Sequence, residues 1–250
     1  MTRSLAALPV HNEVDHVSPV LDEVLRHCPE VLVVDDGSRD GTAEILAARG
    51  DVHVVTHPQN RGYGAALQSA FDFALQNAYD VLVTIDCDGQ HQPCLIPQFI
   101  ARAEEADIVS GSRYLKEFPG DSRPPEERRQ INQVITQRVN RQLGLALTDA
   151  FCGFKAYRVP ILAKLSLTES GYAMPLELWV QAVALGLRII EMPVPLIYLD
   201  EARSFGGALD HGQTRLRVYE DVLDRAMAAA GLVPKDDARR RPMQGQKCCH

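Results

Sequence analysis

The sequence lacks the features that mark membrane and secreted proteins. Its 250 residues contain no apolar run close to the roughly 20 residues that a membrane-spanning helix needs. The N-terminal segment has neither a long apolar stretch nor a signal-peptide cleavage pattern. We therefore expect a cytoplasmic protein without a signal peptide or a transmembrane helix, and we expect any membrane contact to be peripheral, at the inner face.

An excess of positive charge and paired cysteines are also absent. Lys and Arg number 26 against 33 Asp and Glu, and this net charge of -7 argues against a nucleic-acid partner. The six cysteines form neither a disulfide framework nor a paired Cys-x-x-Cys zinc motif, which indicates reduced thiols. The terminal Cys248-Cys249-His250 has the chemistry for weak metal binding. However, the polar, charged composition of residues 231–250 predicts a disordered tail.

The first half of the chain alternates short apolar runs with helical patterns. Strands are predicted at Ser4–Val10, Val31–Val34, Val52–Thr56, Val81–Ile85 and from Ile108. Helices are predicted between them, at Val14–His27, Thr42–Ala48, Ala65–Gln76 and Leu95–Glu104. Strands that are apolar at nearly every position are buried on both faces. The alternation therefore predicts an α/β fold with a mostly parallel central sheet flanked by helices.

The second half is less regular. Apolar residues at helical spacing predict an amphipathic helix over Glu126–Leu143. Further helices are predicted at Leu176–Leu185 and Thr214–Ala230, an extended segment at Phe151–Tyr157, and loops at Phe118–Glu127 and Ala202–Gly212. Pro193 and Pro195 restrict the strand-like segment Arg188–Leu199 to an edge of the sheet.

Two carboxylates follow the fourth predicted strand. Asp86 and Asp88 share a face, because side chains two apart in an extended chain point the same way. Close carboxylates repel each other unless a cation neutralises them. Oxygen ligands favour Mg²⁺ or Mn²⁺, which usually shares its coordination shell with substrate phosphates. Gln90 offers a further oxygen, whereas the alternative interpretation is a solvated acidic turn.

Two other segments are expected at the same crevice, because ligands of open parallel sheets bind beyond the carboxyl ends of the strands. Asp36 follows the second strand, where its carboxylate can accept hydrogen bonds from a nucleobase or a ribose. Gly62 and Gly64 precede a helix and allow the backbone to approach a ligand closely. The third glycine of the dinucleotide fingerprint is missing, which argues against a nicotinamide or flavin enzyme.

These segments belong to an ordered series of motifs. The series comprises Pro9-Val10-His11-Asn12-Glu13, Asp35-Asp36-Gly37-Ser38, Asn60-x-Gly62-x-Gly64, Asp86-Cys87-Asp88-Gly89-Gln90-His91-x-Pro93, Gly111-Ser112-Arg113-Tyr114, Asp149 to Arg158 and Glu191-Met192-Pro193. It resembles the family 2 glycosyltransferases, and within them the dolichol-phosphate mannose synthase branch of polyprenyl-phosphate glycosyltransferases. The resemblance implies the GT-A fold. It also implies one domain over residues 1–230, with a nucleotide-sugar-binding half at 1–115 and an acceptor-side half at 116–230.

The resemblance assigns roles residue by residue. It implies that the donor, a nucleoside-diphosphate sugar, contacts Pro9, His11, Glu13, Val34, Asp36, Gly62, Asp86, Cys87, Asp88 and Arg113. It implies that Mg²⁺ or Mn²⁺ is held by Asp86, Asp88 and Gln90. Phosphate-binding roles fall on Arg129 and Arg203, and catalytic roles on Asp88 and Arg113.

Two positions depart from the pattern. The family usually has Tyr where this chain has His11, which changes the pH behaviour of a stacking contact. It usually has Lys at the position of Leu209, so one cation expected near the acceptor phosphate is missing.

The acceptor decides whether the reaction needs a base. A phosphate monoester is largely dianionic at pH 7 and needs none, whereas a hydroxyl must lose its proton. No Glu-Asp or Gln-x-x-Arg-Trp motif follows position 150, which favours a polyprenyl-phosphate acceptor. Glu177 is the one carboxylate that we nominate as a base, although a charge on a helix surface is the simpler interpretation. Helix Glu126–Leu143, with four arginines, is the candidate for contact with the membrane.

The sequence thus predicts an inverting glycosyltransferase that moves mannose or glucose. Two alternatives stay open: a non-catalytic binder or scaffold for sugar nucleotides, and a glycosyltransferase with a soluble hydroxyl acceptor. A nucleotidyltransferase is disfavoured, because His11-Asn12-Glu13 is not the Gly-rich, basic loop expected after the first strand. The sequence specifies no oligomeric state.

Overall fold

A seven-stranded sheet forms the centre of the computed structural model, which describes residues 2–199 and 207–232. The strands are β1 Ser4–Val10, β2 Val31–Asp35, β3 His53–Thr56, β4 Val81–Thr84, β5 Ile108–Ser112, β6 Lys155–Arg158 and β7 Ile189–Pro193. Their order is β3-β2-β1-β4-β6-β5-β7. All neighbouring pairs are parallel except those of β6, which runs antiparallel to both β4 and β5. The predicted mostly parallel sheet is therefore confirmed, and β7 lies at an edge as expected.

Eight α-helices accompany these strands in the described residues. They are α1 Val17–Leu25, α2 Thr42–Ala47, α3 Tyr63–Gln76, α4 Ile96–Arg102, α5 Glu126–Leu143, α6 Val159–Leu162, α7 Met174–Ala184 and α8 Gly212–Ala229. Short 3₁₀ turns lie at Pro93–Leu95 and Gly207–Asp210. The predicted long helices are present, and α5 has the predicted bounds. None of the described helices is long and apolar enough to cross a bilayer.

The sheet separates two apolar cores. Leu5 and Ala7 of β1 pack into one core with α3, α5, α7 and α8, whereas Ala6 and Leu8 pack into the other with α1 and α4. Successive residues of a strand face opposite sides of a sheet, so β1 serves both cores. This burial on both faces explains the continuous apolar runs of the sequence.

The apolar stripe of α5 is used in the first core. Ile131, Ile135 and Val139 are buried there, and among the large apolar side chains of α5 Val134 is exposed. Arg138 forms ion pairs with Glu220 and Asp224 of α8, at 2.9 and 2.8 Å. Packing in the first core therefore accounts for the apolar stripe of α5, the helix that the sequence analysis proposed for membrane contact.

Strand β6 is the feature that the local pattern did not predict. The expected extended segment Phe151–Tyr157 contains a strand that starts at Lys155 and lies between β4 and β5, with Thr84 opposite Lys155. Six parallel strands, β1, β2, β3, β4, β5 and β7, end at one edge of the sheet, which we call the carboxyl edge. Because β6 is antiparallel, it begins at that edge and brings residues 149–154 to it.

Candidate active site at the carboxyl edge

Asp36 lies at the end of β2 and is buried. Its Oδ1 accepts hydrogen bonds from the Arg61 amide at 2.8 Å and from His57 Nδ1 at 2.6 Å. Its Oδ2 accepts one from the Gly62 amide at 2.7 Å. The sequence predicted a carboxylate open to the crevice. The structure instead has Asp36 fastening the segment before α3, because that segment folds back over the end of β2.

The loop after β1 lies beside Asp36. His11 is exposed, and its Nδ1 donates to the Asp36 carbonyl oxygen at 2.9 Å. Its Nε2 lies 3.1 Å from the Asn12 side-chain amide nitrogen. Glu13 is buried, and its amide donates to Thr42 Oγ1 at 2.9 Å. Pairs of this kind hold the β1 and β2 loops together.

Three of the residues predicted to contact the donor belong to the sheet and its cores: Pro9, Val34 and Cys87. Val34 is fully buried and lies opposite Pro9, which is partly buried. Cys87 is buried in the second core. Contacts of Val34 and Cys87 with a ligand therefore have to come from the backbone.

Asp86, Asp88 and Gln90 follow β4 and are all partly exposed. Asp86 Oδ1 accepts a hydrogen bond from Tyr63 Oη at 2.9 Å, and Asp88 Oδ1 accepts one from the Gln90 amide at 3.0 Å. Asp86 Oδ2 accepts none from the described residues. Two partly exposed carboxylates fit a hard divalent cation. No cluster of three or more His, Cys, Asp or Glu side chains in the described ranges could hold a metal, so substrate phosphates and water would complete the shell.

Gly153, from the segment before β6, faces the Asp86 carboxylate. A Cβ at this position would overlap Asp86 Oδ2 and would lie 2.6 Å from Asp86 Oδ1 and 2.7 Å from Tyr63 Oη. Real Cβ atoms do not come so close to other atoms, so the position requires glycine if Asp86 is to keep its place. Gly153 lies within one of the sequence motifs, but the sequence analysis assigned it no role.

Arg113, at the end of β5, is held by Asp149. Its Nε and Nη2 donate to the two carboxylate oxygens at 2.7 and 3.0 Å. Burial opposes the charge of Asp149, but the charge of Arg113 and the hydrogen bonds to the carboxylate together outweigh it and hold the pKa of this carboxyl below its usual range. Asn132 Nδ2 also donates to Asp149, at 2.8 Å. The sequence predicted Arg113 but missed Asp149, which orients it.

Glu191 of β7 supports the same segment from the other side. Its carboxylate accepts hydrogen bonds from the amides of Thr148, at 2.9 Å, and Asp149, at 3.1 Å. Burial raises the pKa of Glu191 above its usual value, although these hydrogen bonds oppose the shift. The position of Arg113 is thus fixed through Asp149 by a strand at the sheet edge.

Lys155 is a buried cation near this centre. Its Nζ donates to the Cys152 carbonyl oxygen and lies 5.4 Å from the centre of the Trp179 ring. Burial lowers the pKa of Lys155 below its usual value, against the attraction of surrounding acidic groups. The hydrogen bond holds the segment that carries Gly153. Sequence reasoning gave Lys155 no role.

The acceptor-side cations lie around the first turns of α5 and α8. Arg129 is exposed on α5, and the neighbouring Arg128 donates to Tyr198 Oη. Buried Arg215 donates to the Leu209 carbonyl oxygen at 2.8 Å and to Glu127 at 3.2 Å. The position where the family usually has Lys therefore has a guanidinium bound to its backbone. The predicted phosphate-binding Arg203 and Cys248-Cys249-His250 lie outside the described residues.

Glu177 corrects a prediction. It is buried rather than on the helix surface. Its carboxylate accepts hydrogen bonds from the amides of Thr168 and Glu169, both at 2.8 Å, and from Thr168 Oγ1 at 3.0 Å. The adjoining Ser170 carbonyl oxygen accepts from the Ala65 amide at 3.0 Å and caps the start of α3. These contacts give Glu177 a structural task, namely holding the loop that supports α3.

Comparison with known families bears on this arrangement. The model of the family described as "Glycosyl transferase family 2" matches residues 6–166. The chain belongs to glycosyl transferase family 2. The match contains the two aspartates after β4, Arg113, Asp149 and Gly153. The chain is therefore a glycosyltransferase, as its motifs predicted.

Members of glycosyl transferase family 2 that resemble the chain include two bacterial enzymes. An undecaprenyl-phosphate mannosyltransferase of Micrococcus luteus is 34% identical over 218 residues, which cover 82% of this chain and 88% of the relative. A polyprenol monophosphomannose synthase of Mycolicibacterium smegmatis is 33% identical over 205 residues, covering 77% and 76%. The predicted resemblance to the dolichol-phosphate mannose synthase branch is confirmed.

A solved structure of the same architecture is glucosyl-3-phosphoglycerate synthase from Mycobacterium tuberculosis in complex with Mg²⁺ and uridine diphosphate. It aligns with a TM-score of 0.68 at 20% identity, covering 94% of this chain and 81% of that one. At this identity the likeness concerns the fold alone. The predicted GT-A fold of glycosyl transferase family 2 is confirmed.

Proposed function

We propose that this glycosyltransferase moves mannose or glucose from a nucleoside-diphosphate sugar to a polyprenyl phosphate, with inversion at the anomeric carbon. The observation that carries the proposal is the placement of Asp86, Asp88 and Arg113 at one edge of the sheet. The sequence similarity to an undecaprenyl-phosphate mannosyltransferase supports the acceptor class.

In the proposed reaction, an oxygen of the acceptor phosphate attacks the anomeric carbon from the face opposite the leaving group. The bond between that carbon and the diphosphate oxygen breaks, and the nucleoside diphosphate departs with the electron pair. Asp86 and Asp88, with Gln90, would hold Mg²⁺ or Mn²⁺, which when bound offsets negative charge on the diphosphate. Arg113 adds a positive charge that Asp149 holds in place before substrate arrives.

The state of Glu177 supports a phosphate acceptor. Its carboxylate is occupied by the backbone of Thr168 and Glu169, which argues against a role as a mobile base. A phosphate monoester with a second pKa of about 6 is mostly dianionic at neutral pH and attacks without losing a proton. The exposed Arg129 and the guanidinium of Arg128 are the described candidates for binding that dianion.

The test has two steps. Calorimetry with Mn²⁺ and GDP, UDP or their sugars should find one nucleotide that binds, and Asp88→Ala should abolish the metal-dependent part of that binding. Asp72→Ala, the same change at an exposed position of α3, should leave it unaltered. Absence of binding by every nucleotide would contradict the donor assignment.

The second step uses the labelled sugar of the bound donor with farnesyl phosphate and, in parallel, farnesol. Transfer to the phosphate alone is expected. Transfer to farnesol would favour a hydroxyl acceptor. Donor binding without transfer to either would favour the non-catalytic binder, the alternative that Leu209 supports because the family's usual Lys is missing there.

A further inference from the structure

Tyr63 makes an interaction that none of the predicted roles includes. It is the first residue of α3, and its hydroxyl donates to Asp86 Oδ1 at 2.9 Å. Its ring stacks on Tyr172, with 5.5 Å between the ring centres and 16° between the planes. A side chain of α3 thus contacts one of the two carboxylates that follow β4.

The direction of this hydrogen bond follows from the two groups that form it. The phenol hydroxyl of Tyr63 has a proton to donate, and the carboxylate oxygen Oδ1 of Asp86 accepts it.

The Asp86 carboxylate is confined on a second side by Gly153. A Cβ added there would overlap both carboxylate oxygens of Asp86, Oδ2 most closely, and also Tyr63 Oη. Tyr63 engages one oxygen, Oδ1, whereas Oδ2 accepts no hydrogen bond from the residues that the structure describes and lies 3.8 Å from His91 Nδ1. The two oxygens of Asp86 are therefore unequal before any ligand binds.

The place of Tyr63 is itself fixed by the backbone. The preceding Gly62 has a φ of 102° and donates its amide to Asp36 Oδ2 at 2.7 Å. A Cβ at Gly62 would collide with the Ser170 carbonyl oxygen, so the turn fits only glycine. Asp36 therefore determines where α3 starts, and the start of α3 determines where the Tyr63 hydroxyl lies.

We propose that Tyr63 is a positioning residue for the metal-binding carboxylate. By holding Oδ1 of Asp86, it presents Oδ2 to the cation on the donor diphosphate. The proposal rests on the function proposed above, because it takes Asp86 to be a ligand of Mg²⁺ or Mn²⁺. Partners that orient the ligands of a metal typically contribute tenfold to a hundredfold to its affinity.

The test is Tyr63→Phe, which removes the hydroxyl and keeps the ring that stacks on Tyr172. Free Mn²⁺ is measured by electron paramagnetic resonance during titration of the full chain, alone and with GDP or UDP. The dissociation constant for Mn²⁺ with nucleotide should rise about tenfold or more. In turnover assays the half-saturating Mn²⁺ concentration should rise equally, and excess Mn²⁺ should restore kcat.

Tyr79→Phe is the matched control. The Tyr79 hydroxyl also donates to a carboxylate, Glu30 Oε2 at 2.8 Å. However, Glu30 directly precedes β2 and Tyr79 lies two residues before β4, so both are at the opposite edge of the sheet. Its Mn²⁺ affinity should equal that of the wild type. The melting temperatures of both variants show whether weaker Mn²⁺ binding by Tyr63→Phe is due to unfolding. Excess Mn²⁺ would not restore the kcat of an unfolded variant.

The outcomes separate the two proposals. Wild-type protein that binds no Mn²⁺ with either nucleotide would contradict the proposed metal site, and the inference with it. Wild-type binding together with an unchanged dissociation constant in Tyr63→Phe would overturn the inference alone. Equal weakening in Tyr63→Phe and Tyr79→Phe would also overturn it, since the effect would not depend on Asp86.

Discussion

Arg113 and Asp149 form a bidentate ion pair at the end of β5, with N–O distances of 2.7 and 3.0 Å. Asp149 is fully buried, whereas Arg113 is 23% exposed. The remaining guanidinium nitrogen, Nη1, donates to no described residue. The pair therefore holds a cation at the crevice with one nitrogen left for an anionic ligand, and it does so before substrate binds.

Replacing Asp149 should affect both stability and catalysis. In Asp149→Asn, Arg113 loses its charged partner and its fixed orientation. Removing one member of a buried pair costs about 3–5 kcal/mol, and the lower end applies because Arg113 is partly exposed. We expect a free energy of unfolding lower by about 3 kcal/mol, and a kcat/KM for the donor that is lower by at least tenfold at temperatures where the variant is folded.

Asp224→Asn provides the comparison. Asp224 pairs with Arg138 at 2.8 Å but is 53% exposed, and exposed pairs contribute about 1 kcal/mol or less. Denaturant unfolding and donor kinetics should show little change. If the two variants behaved alike, the role given to Asp149 would be wrong.

The stabilisation by Asp149 should depend on pH in one direction. The folded-state pKa of this carboxyl lies below the value of about 3.9 expected in the unfolded chain. Its contribution is therefore complete above about pH 4 and declines as the pH falls toward the folded pKa, because the unfolded state takes up the proton first. The difference in unfolding free energy between wild type and Asp149→Asn should be constant from pH 8 to 5 and shrink below 4. A difference that already shrank between pH 7 and 5 would refute this assignment.

Gly153→Ala should displace the Asp86 carboxylate. The added methyl group would lie 2.6 Å from Oδ1 and 2.7 Å from Tyr63 Oη, so one of the two side chains has to move. We expect weaker Mn²⁺ binding with nucleotide, by about tenfold or more, as measured by calorimetry. Gly50→Ala is the control, because nothing lies within 4 Å of a Cβ there. Unaltered Mn²⁺ affinity in Gly153→Ala would mean that Asp86 does not bind the cation from this position.

Glu177→Gln distinguishes a structural residue from a base. Gln keeps one acceptor oxygen for the amides of Thr168 and Glu169 but cannot take up a proton as a carboxylate does. We expect a lower melting temperature and a kcat within tenfold of the wild type. Loss of a general base typically lowers the rate 10²- to 10⁴-fold. A decrease of that size in the kcat of a folded Glu177→Gln variant would indicate that Glu177 is the base.

Local sequence patterns predicted most of the fold. Apolar runs located β1, β2 and β4, because strands buried on both faces have a continuous signal, and helical spacing located α5. The place of β6 was not predictable in this way. Thr84 lies opposite Lys155, 71 positions along the chain, and such a pairing leaves no trace in either segment alone.

The candidate site was predicted in part, for a related reason. The acids after β2 and β4 stood out because polar residues directly follow buried strands. Tyr63 looked like a spacer between Gly62 and Gly64, and Asp149 began a quoted motif without a role of its own, so neither was assigned to the site. Both are defined by a partner on another element, Asp86 and Arg113 respectively. Glu177 was misjudged because helical spacing does not tell which polar residue a loop will cover.

The antiparallel strand β6 has a consequence for how the chain folds during synthesis. Ile108–Ser112 joins the rest of the sheet only through Lys155–Arg158, and its other neighbour, β7, comes still later. A nascent chain that ends at residue 115 therefore contains the four strands β1 to β4, which pair with one another, but not the strand beside which β5 is placed. The ribosome has to add more than forty residues, several seconds of translation at about 5–20 residues per second, before Arg113 can reach the carboxyl edge. The last strand of the first half, β5, is thus held in the sheet by β6, a strand of the second half.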